Sequence, residues 1–295
     1  MQFKKIIHFF FISMLCISHL NAQDSIRLVT YNLLNYPDAN PARISYLKVI
    51  MQYAKPDILL VNELNNETGA NEVLVNALNT DGINYYSRAQ FNNYDIQNNL
   101  LYYDTRKVGL LLSDTIDASP RPIYYFKVYL KDWDLTQTQD TTYLHLFSVH
   151  LKALASYDEK RYEATKKLRT FIDTELNGEH IFVGGDFNVI PDKVDVYDYK
   201  KYENDALFKL EIRKKFNELI KLGFSDIYRH FNKNKQEYTF WDYMAGSWQK
   251  NHGMRIDHFL VSNNLLNNIK SVKINIKPRS KIKPSDHTPI ELEIN

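Results

Sequence analysis

The chain has 295 residues, of which 44% are hydrophobic and 14% aromatic, and its 37 basic and 35 acidic residues give a formal net charge of +2 at pH 7. This length allows one domain or two and is sufficient for a large core. A nearly neutral chain excludes binding to nucleic acid through overall charge alone, so any such binding requires local basic patches.

The N-terminus has the pattern of a secretory signal peptide over residues 1–22. Two lysines precede an apolar run from Ile6 to Leu20, and the small residue Ala22 offers a cleavage point. Polar residues interrupt the run, whereas a membrane-spanning helix needs about 20 apolar residues, so an uncleaved anchor is the lesser alternative. We expect a secreted or periplasmic mature chain, residues 23–295, without a transmembrane segment. Because Cys16 is the only cysteine, this mature chain has no disulfide.

The mature chain reads as one domain in which strands and helices alternate at first. No repeat, low-complexity tract or proline-rich linker divides it. The predicted elements are a strand at Ile26–Tyr31, a helix that starts at Pro41 after the cap Asn40, a strand at Ile58–Val61 and a helix over Asn71–Leu78.

Strands then follow one another without helices from Ile83 to His150, which is typical of an antiparallel meander. They are predicted at Leu100–Tyr103, Val108–Leu112, Ile123–Leu130 and Tyr143–His150. The remaining predictions are a helix opened by a capping box of Ser156 and Glu159, a strand at His180–Val183, a helix over Asn204–Leu222, and strands at Tyr238–Trp241, Arg255–Val261 and Val272–Ile276. This mixture predicts an α/β (α+β) fold in which helices cover sheets.

Polar residues cluster where the predicted strands end, which is where open α/β sheets place their ligand sites. The segments with this placement are Thr30–Asn32, Val61–Glu63, Ser148–Lys152, Gly184–Asn188 and Ser285–His287. Together they offer carboxylates, amides and histidines. Such a set is able to hold a hard divalent ion, orient water and contact phosphate oxygens.

The carboxylates and amides have both functional and structural interpretations. Glu63, with Asn32 nearby, is a candidate Mg²⁺ ligand, but a strand-end glutamate is also a common solvated residue and an asparagine a common turn residue. Asp186 could take a proton from an attacking water while Asn188 donates to a phosphate oxygen, or both could belong to a simple turn. The glycines before Asp186 would permit a sharp exit from the strand and the close approach of a ligand.

The histidines differ in how strongly they indicate a site. His150 ends an apolar strand, and a lone histidine there is more often a structural hydrogen-bonding residue. His287 directly follows Asp286 and precedes a Thr-Pro pair that stiffens the chain. Asp257 interrupts a strand that looks buried and therefore needs a partner, for which a histidine is suitable.

Several other chemistries are poorly supported. The mature chain has no cysteine and no H-E-x-x-H motif, so no zinc constellation stands out. It also lacks a G-x-S-x-G elbow and a P-loop, which argues against acyl transfer and nucleoside triphosphate binding.

The polar segments, taken in chain order, resemble the motif series of the endonuclease/exonuclease/phosphatase superfamily. The matching residues are Asn32, Glu63, His150, Gly185-Asp186-Phe187-Asn188, Arg255-Ile256-Asp257 and Ser285-Asp286-His287, within a span of residues 26–293. The resemblance implies a four-layer sandwich in which two mixed β-sheets pack face to face with helices outside and the site at one edge.

The resemblance also implies a metal site and a water-activating group. Glu63 is similar to the family's principal metal ligand, and Asn32 and Asp286 would help to hold or orient the ion. The ion implied is Mg²⁺, with Mn²⁺ as an alternative. Asp186 resembles the residue that activates the attacking water, and Asn188 the one that orients this water and the phosphate.

Both histidines match family positions. His287 resembles the histidine that stabilises the charge developing on phosphorus, with Asp257 as its orienting partner. His150 matches a phosphate-contacting or leaving-group position that is histidine in secreted deoxyribonuclease-like members and tyrosine in exonuclease-like repair members. The chain departs from the family at Asn62, where glutamine is usual, and at Gln97, near a glutamate that pairs with this histidine. We therefore expect His150 to lack a carboxylate partner and to act as a neutral donor.

Lys152 and Trp241 are the candidate substrate-binding residues. Trp241 lies in the segment Tyr238–Tyr243, which resembles an aromatic loop beside the substrate of exonuclease-like members, although Phe240 and Trp241 fit a core position equally well. The basic stretch from Lys270 to Lys283 could track a polyphosphate backbone or be a strand edge protected by lysines.

These observations lead to one main hypothesis and two alternatives. The main hypothesis is a secreted, Mg²⁺-dependent phosphodiesterase, an endonuclease that acts as a monomer on nucleic acid and needs no stable protein partner. The first alternative is a phosphatase or a sphingomyelinase-type phospholipase, for which Ile123–Phe126 is the only candidate membrane-binding stretch. The second is a non-catalytic binding protein, against which the joint presence of Glu63, Asp186 and His287 argues.

Overall fold

The computed structural model describes residues 25–37, 41–67, 69–131, 141–281 and 284–295. The predicted signal peptide lies outside these residues, as do the predicted cap Asn40 and Lys283 at the end of the basic stretch.

The described residues form the following elements. The strands are β1 (Ile26–Tyr36), β2 (Ile58–Asn65), β3 (Tyr86–Arg88), β4 (Gln97–Asp104), β5 (Val108–Ile116), β6 (Ile123–Leu130), β7 (Tyr143–His150), β8 (Ile181–Asp186), β9 (Phe224–Asp226), β10 (Asp257–Ser262), β11 (Ile269–Ile274) and β12 (Ile290–Ile294). The helices are α1 (Pro41–Ala54), α2 (Ala70–Leu78), α3 (Asp158–Glu175), α4 (Tyr199–Tyr202), α5 (Leu210–Lys221), α6 (Ile227–Phe231) and α7 (Lys277–Lys281).

The strands form two six-stranded sheets within the described residues. Their orders are β11-β12-β1-β2-β4-β3 and β5-β6-β7-β8-β10-β9. Both sheets are mixed, because β1 pairs with β2 in parallel, as β7 does with β8, and antiparallel pairs complete each sheet. The sheets pack face to face, with α1 and α2 outside the first sheet and α3 and α5 outside the second. The predicted four-layer sandwich is confirmed.

Apolar side chains from both sheets fill the space between them. Leu60 of β2, Phe182 of β8 and Phe259 of β10 are fully buried in one cluster. On the outer side of the second sheet, Leu168 of α3 and Phe216 of α5 close another cluster. Burial of each such side chain contributes roughly 1.5–3 kcal/mol, so this packing holds the strand ends in fixed positions.

Two adjacent glycines allow β8 to lie close to its neighbours. A Cβ atom on Gly184 would lie 2.6 Å from the ring of Phe259, and one on Gly185 would lie 2.0 Å from the carbonyl oxygen of Val149. Gly185 also has a φ of +135°, which other residues rarely adopt. The sequence suggested that these glycines admit a ligand, but the structure packs them against protein atoms.

The start of α3 differs from the prediction. Ser156 lies inside a 3₁₀ turn, Ala155–Tyr157, and the residue before the helix is Tyr157, whose side chain makes no capping hydrogen bond. The predicted capping box of Ser156 and Glu159 is therefore wrong. A side chain held within a 3₁₀ turn is not in the extended conformation that an N-cap requires.

Two later elements also differ. The helix predicted over Asn204–Leu222 begins only at Leu210, because the Phe208 N–H donates to the Asp205 carbonyl and closes a turn before it. The strand predicted at Tyr238–Trp241 is an irregular segment that forms only isolated bridges.

The stretch Ile123–Phe126 does not form an exposed apolar hairpin. It belongs to β6, which pairs with β5 on one side and β7 on the other, and its residues are at most 6% exposed. It is therefore part of the core. None of the helices in the described part of the chain combines the length and apolar character needed to cross a membrane.

Candidate active site

The strand register brings the predicted site residues to one edge of the sandwich. In the parallel pair of β1 and β2, Asn32 lies opposite Asn62. In the parallel pair of β7 and β8, His150 lies opposite Asp186, and Asp257 of β10 lies opposite the same aspartate. Each sheet therefore contributes part of one site.

Glu63 has an unusual backbone conformation. Its φ is +61°, and the pairing of β2 with β4 is irregular between Val61 and Leu64. A residue with a side chain in this region carries a strain of about 1–3 kcal/mol, which persists only when the surroundings hold it. Here the Glu63 Oε2 atom accepts from the Asn35 N–H at 3.0 Å and from Gln97 Nε2 at 2.8 Å. These bonds fix the carboxylate beside the cavity.

Asn32 joins two carboxylates. Its Nδ2 atom donates to Glu63 Oε1 at 3.2 Å and to Asp186 Oδ2 at 3.1 Å, while its Oδ1 atom accepts from the Leu34 N–H at 3.0 Å. The resemblance suggested that Asn32 helps to hold or orient the ion. In this arrangement it orients both carboxylates as a donor. Asn62 fixes the same region, because its Oδ1 atom accepts from the Asp186 N–H at 3.0 Å.

His287 forms a buried pair with Asp257. The Nδ1 atom of His287 lies 2.7 Å from Asp257 Oδ2, and its Nε2 atom lies 3.8 Å from Asp186 Oδ2 and 3.9 Å from Asp286 Oδ1. Burial alone would lower the pKa of His287, but the charge and hydrogen bond of Asp257, with Asp186 and Asp286, raise it to about 10. The ring is therefore an imidazolium near neutral pH.

Asp186 lies where negative charge accumulates. Burial, reinforced by the Asp257 carboxylate, raises the pKa of Asp186 to about 8. A divalent cation nearby would favour the ionised form of this carboxylate. The site therefore has an excess of carboxylate groups that positive charge would stabilise.

The oxygen-rich side of the site fits a hard divalent ion. Glu63 and Asp286 offer carboxylate oxygens, which Mg²⁺ prefers, and Asp186 faces the same space. Asp186, Asp257 and His287 also place potential ligand atoms within 4.8 Å of one another. In that trio, however, His287 Nδ1 and Asp257 Oδ2 already bond to each other, so an ion held through these two atoms would have to replace this bond. We therefore favour Glu63 and Asp286 as the ligands.

The sequence did not indicate Arg121, which contacts His150 directly. Arg121 Nη1 lies 2.6 Å from His150 Nε2, and because a guanidinium only donates, this ring nitrogen must accept. Burial lowers the pKa of His150 well below its usual value, and the positive charges of Arg121 and His287 lower it further. The ring is thus neutral, but Nε2 is an acceptor in this arrangement. Arg121 also donates to Gln97 Oε1.

One signal for Arg121 was available in the sequence. It stands between two prolines, in Ser119-Pro120-Arg121-Pro122, within the connection from β5 to β6. Two prolines stiffen the backbone of such a connection on both sides of the charged residue. Its contact with His150 nevertheless depends on sheet packing.

Most of the site residues, but not Asn32 or Asp257, line one cavity of about 440 Å³. One group of lining residues, Arg121, His150 and Lys152, comes from the β5–β6 connection and the end of β7. Asp286 and His287 belong to the segment before β12 and line the same cavity. The cavity therefore joins cationic side chains to the carboxylate cluster, as an anionic substrate requires.

Asn188 forms the turn that the sequence suggested and also faces the cavity. Its N–H donates to Asp186 Oδ1 at 2.9 Å, as in a turn, and its φ is +48°. Its Nδ2 atom donates to the Leu151 carbonyl at 2.7 Å, which leaves the second amide hydrogen for another acceptor. Asn188 also lines the cavity.

The structure does not bring Trp241 to the cavity. Trp241 is 3% exposed, donates from Nε1 to Asn251 Oδ1 at 3.1 Å and packs against Trp248 at 4.8 Å between ring centroids. It therefore occupies a core position. The neighbouring ring of Phe240 lines the cavity, with its centroid 5.0 Å from that of His287.

The described residues of the basic stretch before the Ser-Asp-His motif do not form a free cationic path. Lys270 lies 3.1 Å from Glu293 and Lys273 lies 2.8 Å from Glu291, both on the neighbouring strand β12. Arg279 is 1% exposed. These contacts favour the interpretation of this stretch as a strand edge protected by lysines.

Comparison with known proteins decides the family. The sequence profile described as "Endonuclease/Exonuclease/phosphatase family" matches residues 29–287. The chain belongs to the endonuclease/exonuclease/phosphatase family. The prediction made from the motif series is thereby confirmed.

Two curated relatives of this endonuclease/exonuclease/phosphatase chain match part of its length. A DNA-(apurinic or apyrimidinic site) endonuclease of Dictyostelium discoideum is 38% identical over 112 residues, which cover 38% of this chain and 30% of that protein. An exodeoxyribonuclease of Bacillus subtilis (strain 168) is 34% identical over 116 residues, 39% of this chain and 44% of that protein. The chain thus spans less than half of each.

Solved structures share the family fold. An AP endonuclease from Archaeoglobus fulgidus superposes with a TM-score of 0.70 at 20% identity, covering 92% of this chain and 99% of that one. The 3′ phosphatase NExo from Neisseria, bound to a product DNA hairpin, gives 0.72 at 19% identity with the same coverage, 92% and 99%. At these identities the likeness establishes the fold alone.

Proposed function

We propose that this protein is a Mg²⁺-dependent phosphodiesterase that cleaves nucleic acid by attack of water on phosphorus. The observation that carries the proposal is that Asp186 and the His287–Asp257 pair meet at the carboxylate cluster in one cavity that also holds Arg121. The names of its relatives, an endonuclease and an exodeoxyribonuclease, support nucleic acid as the substrate class.

Asp186 and Asn188 act on the attacking water. The ionised Asp186 carboxylate accepts a proton from the water, for which it must lie within hydrogen-bond reach. Asp186 Oδ1 accepts from the Asn188 N–H, so Oδ2 is the oxygen left for the water. Oδ2 also accepts from Asn32 Nδ2 and lies 3.8 Å from His287 Nε2. The free amide hydrogen of Asn188 orients the water or a phosphate oxygen.

His287 stabilises the charge that develops on the phosphoryl oxygens. Its Nδ1 atom is engaged by Asp257, so its Nε2–H points to the space beside Asp186 and Asp286. A fixed imidazolium aimed at developing negative charge stabilises a transition state more than a ground state. When bound at Glu63 and Asp286, a divalent ion supplies further positive charge to the phosphoryl oxygens.

Arg121 and Lys152 bind the substrate's phosphates. The guanidinium of Arg121 is held by His150 Nε2 and Gln97, so its planar face is fixed at the cavity. Arg121 Nε and Lys152 Nζ each lie 3.6 Å from Asp95 Oδ2, which orients both cations without fully neutralising them. His150 keeps Arg121 in this position as a neutral acceptor.

The decisive experiment is hydrolysis of DNA, RNA and bis(p-nitrophenyl) phosphate by residues 23–295, with Mg²⁺ and with EDTA. We expect nucleic acid cleavage that requires Mg²⁺ and falls at least about a hundredfold in Asp186→Asn, because general-base catalysis contributes roughly 10²–10⁴-fold. The matched control is Asp173→Asn, an exposed aspartate of α3 outside this cavity. Turnover of the small diester alone would exclude nucleic acid and keep the reaction class.

We also propose that the protein is secreted or periplasmic. The support is the basic and apolar pattern of residues 1–22. N-terminal sequencing of the protein from the extracellular or periplasmic fraction of its natural cell should give a chain that starts at Gln23. A chain that keeps residues 1–22 in the cytosolic fraction would contradict this proposal.

A further inference from the structure

A second and much smaller cleft shares three residues with the catalytic cavity. Arg121, His150 and Lys152 line both, and the small cleft continues to Lys160 and Arg161 of α3. We infer that this cleft binds a small monovalent anion such as chloride, at a site distinct from the place of the substrate phosphate.

Two buried N–H donors on residues that line this cleft have no hydrogen-bond acceptor in the part of the chain that the structure describes. Because His150 Nε2 accepts from Arg121, the hydrogen of the neutral ring is on Nδ1, and this atom has no partner among the described residues. Arg161 Nε has none there either. The two residues are 5% and 1% exposed, so solvent does not satisfy these atoms. An unpaired buried donor costs about 1–3 kcal/mol, so an acceptor bound here would stabilise the protein.

The other donors of Arg161 are already engaged. Its Nη1 atom donates to the Asn188 carbonyl at 3.1 Å, and its Nη2 atom donates to the Ala206 carbonyl at 2.8 Å and pairs with Asp158. Arg161 Nε therefore cannot turn to these partners without breaking existing bonds. An acceptor bound in the cleft that Arg161 lines would satisfy it.

The charges around the cleft favour an anion over water. Its lining side chains are cationic, imidazole or apolar, with no carboxylate among them. Asp158 offsets Arg161, and Asp95 lies 3.6 Å from Arg121 and Lys152, but Lys160 forms no ion pair within the described part of the chain. A water there could accept from both donors but would find no side-chain acceptor for its own hydrogens.

The small size of the cleft favours a small ligand over a polyatomic anion. Its free volume of about 10 Å³ corresponds to roughly one water-sized sphere. Phosphate and sulfate are too large for this space. Chloride and bromide are larger than a water molecule, so the lysine side chains that line the cleft must move apart to admit them.

An anion bound in the cleft would affect the catalytic cavity, because some residues line both spaces or lie next to them. An anion that accepts from His150 Nδ1 fixes the ring against Arg121, and one that accepts from Arg161 Nε fixes the side chain that holds the Asn188 carbonyl. We therefore expect chloride to raise activity relative to gluconate at equal ionic strength.

The test measures the anion directly and does not depend on catalysis. Purified residues 23–295 are titrated in gluconate buffer with chloride, followed by the ³⁵Cl line width, and crystals grown in bromide are examined for anomalous scattering at the cleft. We expect a saturable broadening and one bromide peak between His150 and Arg161. A cleft that holds only ordered water, with no bromide peak, would overturn the inference.

Variants separate this site from general surface charge. Lys160→Gln should weaken chloride binding roughly fivefold through loss of a nearby charge. The matched control is Lys166→Gln, which removes an exposed lysine of the same helix that lies outside the cleft. Ala164→Val should abolish binding by filling the space, and circular dichroism checks that it folds. Equal effects of the two lysine variants would overturn the inference, whether or not the protein cleaves nucleic acid.

Discussion

Asp257 controls the charge of His287 from a position that substrate does not reach. Asp257 is 2% exposed and does not line the catalytic cavity, yet its Oδ2 atom lies 2.7 Å from His287 Nδ1. A carboxylate at this distance favours the imidazolium, whereas a neutral group does not. The reactivity of His287 therefore depends on one buried neighbour.

We predict that Asp257→Asn lowers kcat at least about a hundredfold, because the neutral amide no longer stabilises the imidazolium. KM should change little, since Arg121 and Lys152 remain in place. Steady-state kinetics at pH 7 checks this, with thermal unfolding of both proteins as a control for folding. A loss of activity that is only a few-fold would contradict the role given to Asp257.

The positions of individual site residues could be predicted from the sequence where the strand pattern alone determines them. Asn32, Glu63, His150 and Asp186 follow or lie at the ends of the predicted strands, whose carboxyl ends meet at one edge, so their proximity follows from the strand pattern. Arg121 lies on a connection, and its approach to His150 depends on the packing of two sheets, which no local pattern encodes.

The burial of Trp241 was not predictable for a related reason. An irregular segment has no fixed alternation of buried and exposed side chains, so the sequence did not indicate which ring faces the cavity. In the structure Phe240 does so, while Trp241 packs in the core.

At the scale of elements, the close approach of β8 and β7 rests on Gly185. We predict that Gly185→Ala lowers the free energy of unfolding by about 3 kcal/mol or more, because the new Cβ both meets the Val149 carbonyl and occupies a φ of +135°. Gly178→Ala is the matched control, because its φ is +84° but nothing lies within 4 Å of the added atom.

The control should therefore cost only about 1 kcal/mol. Urea unfolding of the two variants and the unmodified chain gives the comparison. Equal losses would show that backbone conformation alone, and not contact with Val149, makes glycine necessary in β8.

Element bounds were predictable where apolar runs are long and buried. The predicted strands Ile123–Leu130 and Tyr143–His150 coincide with β6 and β7, whose interior positions in the second sheet leave little choice of end points. The three-residue strands β3 and β9 were not predicted, because such short segments become strands only when a neighbour pairs with them. The five-residue strand β12 was also missed.

At the scale of the whole molecule, a buried ionic network ties the site to the outer layer. Arg255 lies 2.7 Å from Asp195, 2.8 Å from Asp226 and 2.7 Å from His258 Nδ1. Because Arg255 donates to Nδ1, the opposite nitrogen of His258 donates to the Val189 carbonyl at 2.9 Å. This bond holds the chain just after Asn188.

We predict that the network makes the fold sensitive to acid. Burial, with the charge of Arg255, lowers the pKa of His258 from 6.5 to about 4. The unfolded chain therefore binds the proton more readily than the folded one, so His258 contributes stability above pH 6.5 that is lost as pH falls towards 4. The loss amounts to about 3 kcal/mol.

The measurement is urea unfolding of the unmodified chain and His258→Gln between pH 7.5 and pH 4. The free energy of unfolding should fall more steeply with decreasing pH in the unmodified chain, because only that chain carries this titrating group. Parallel pH profiles would contradict the prediction. The comparison removes the contribution of carboxylates that both chains share.

Because the site is divided between two sheets, the protein becomes active only when the sheets have docked. Glu63 belongs to the first sheet and Asp186 to the second, and Asn32 bonds to both. Neither sheet alone holds a competent set of groups, however well its strands are formed. During refolding, recovery of secondary structure must therefore precede recovery of turnover, and the time at which turnover returns marks the docking of one sheet onto the other.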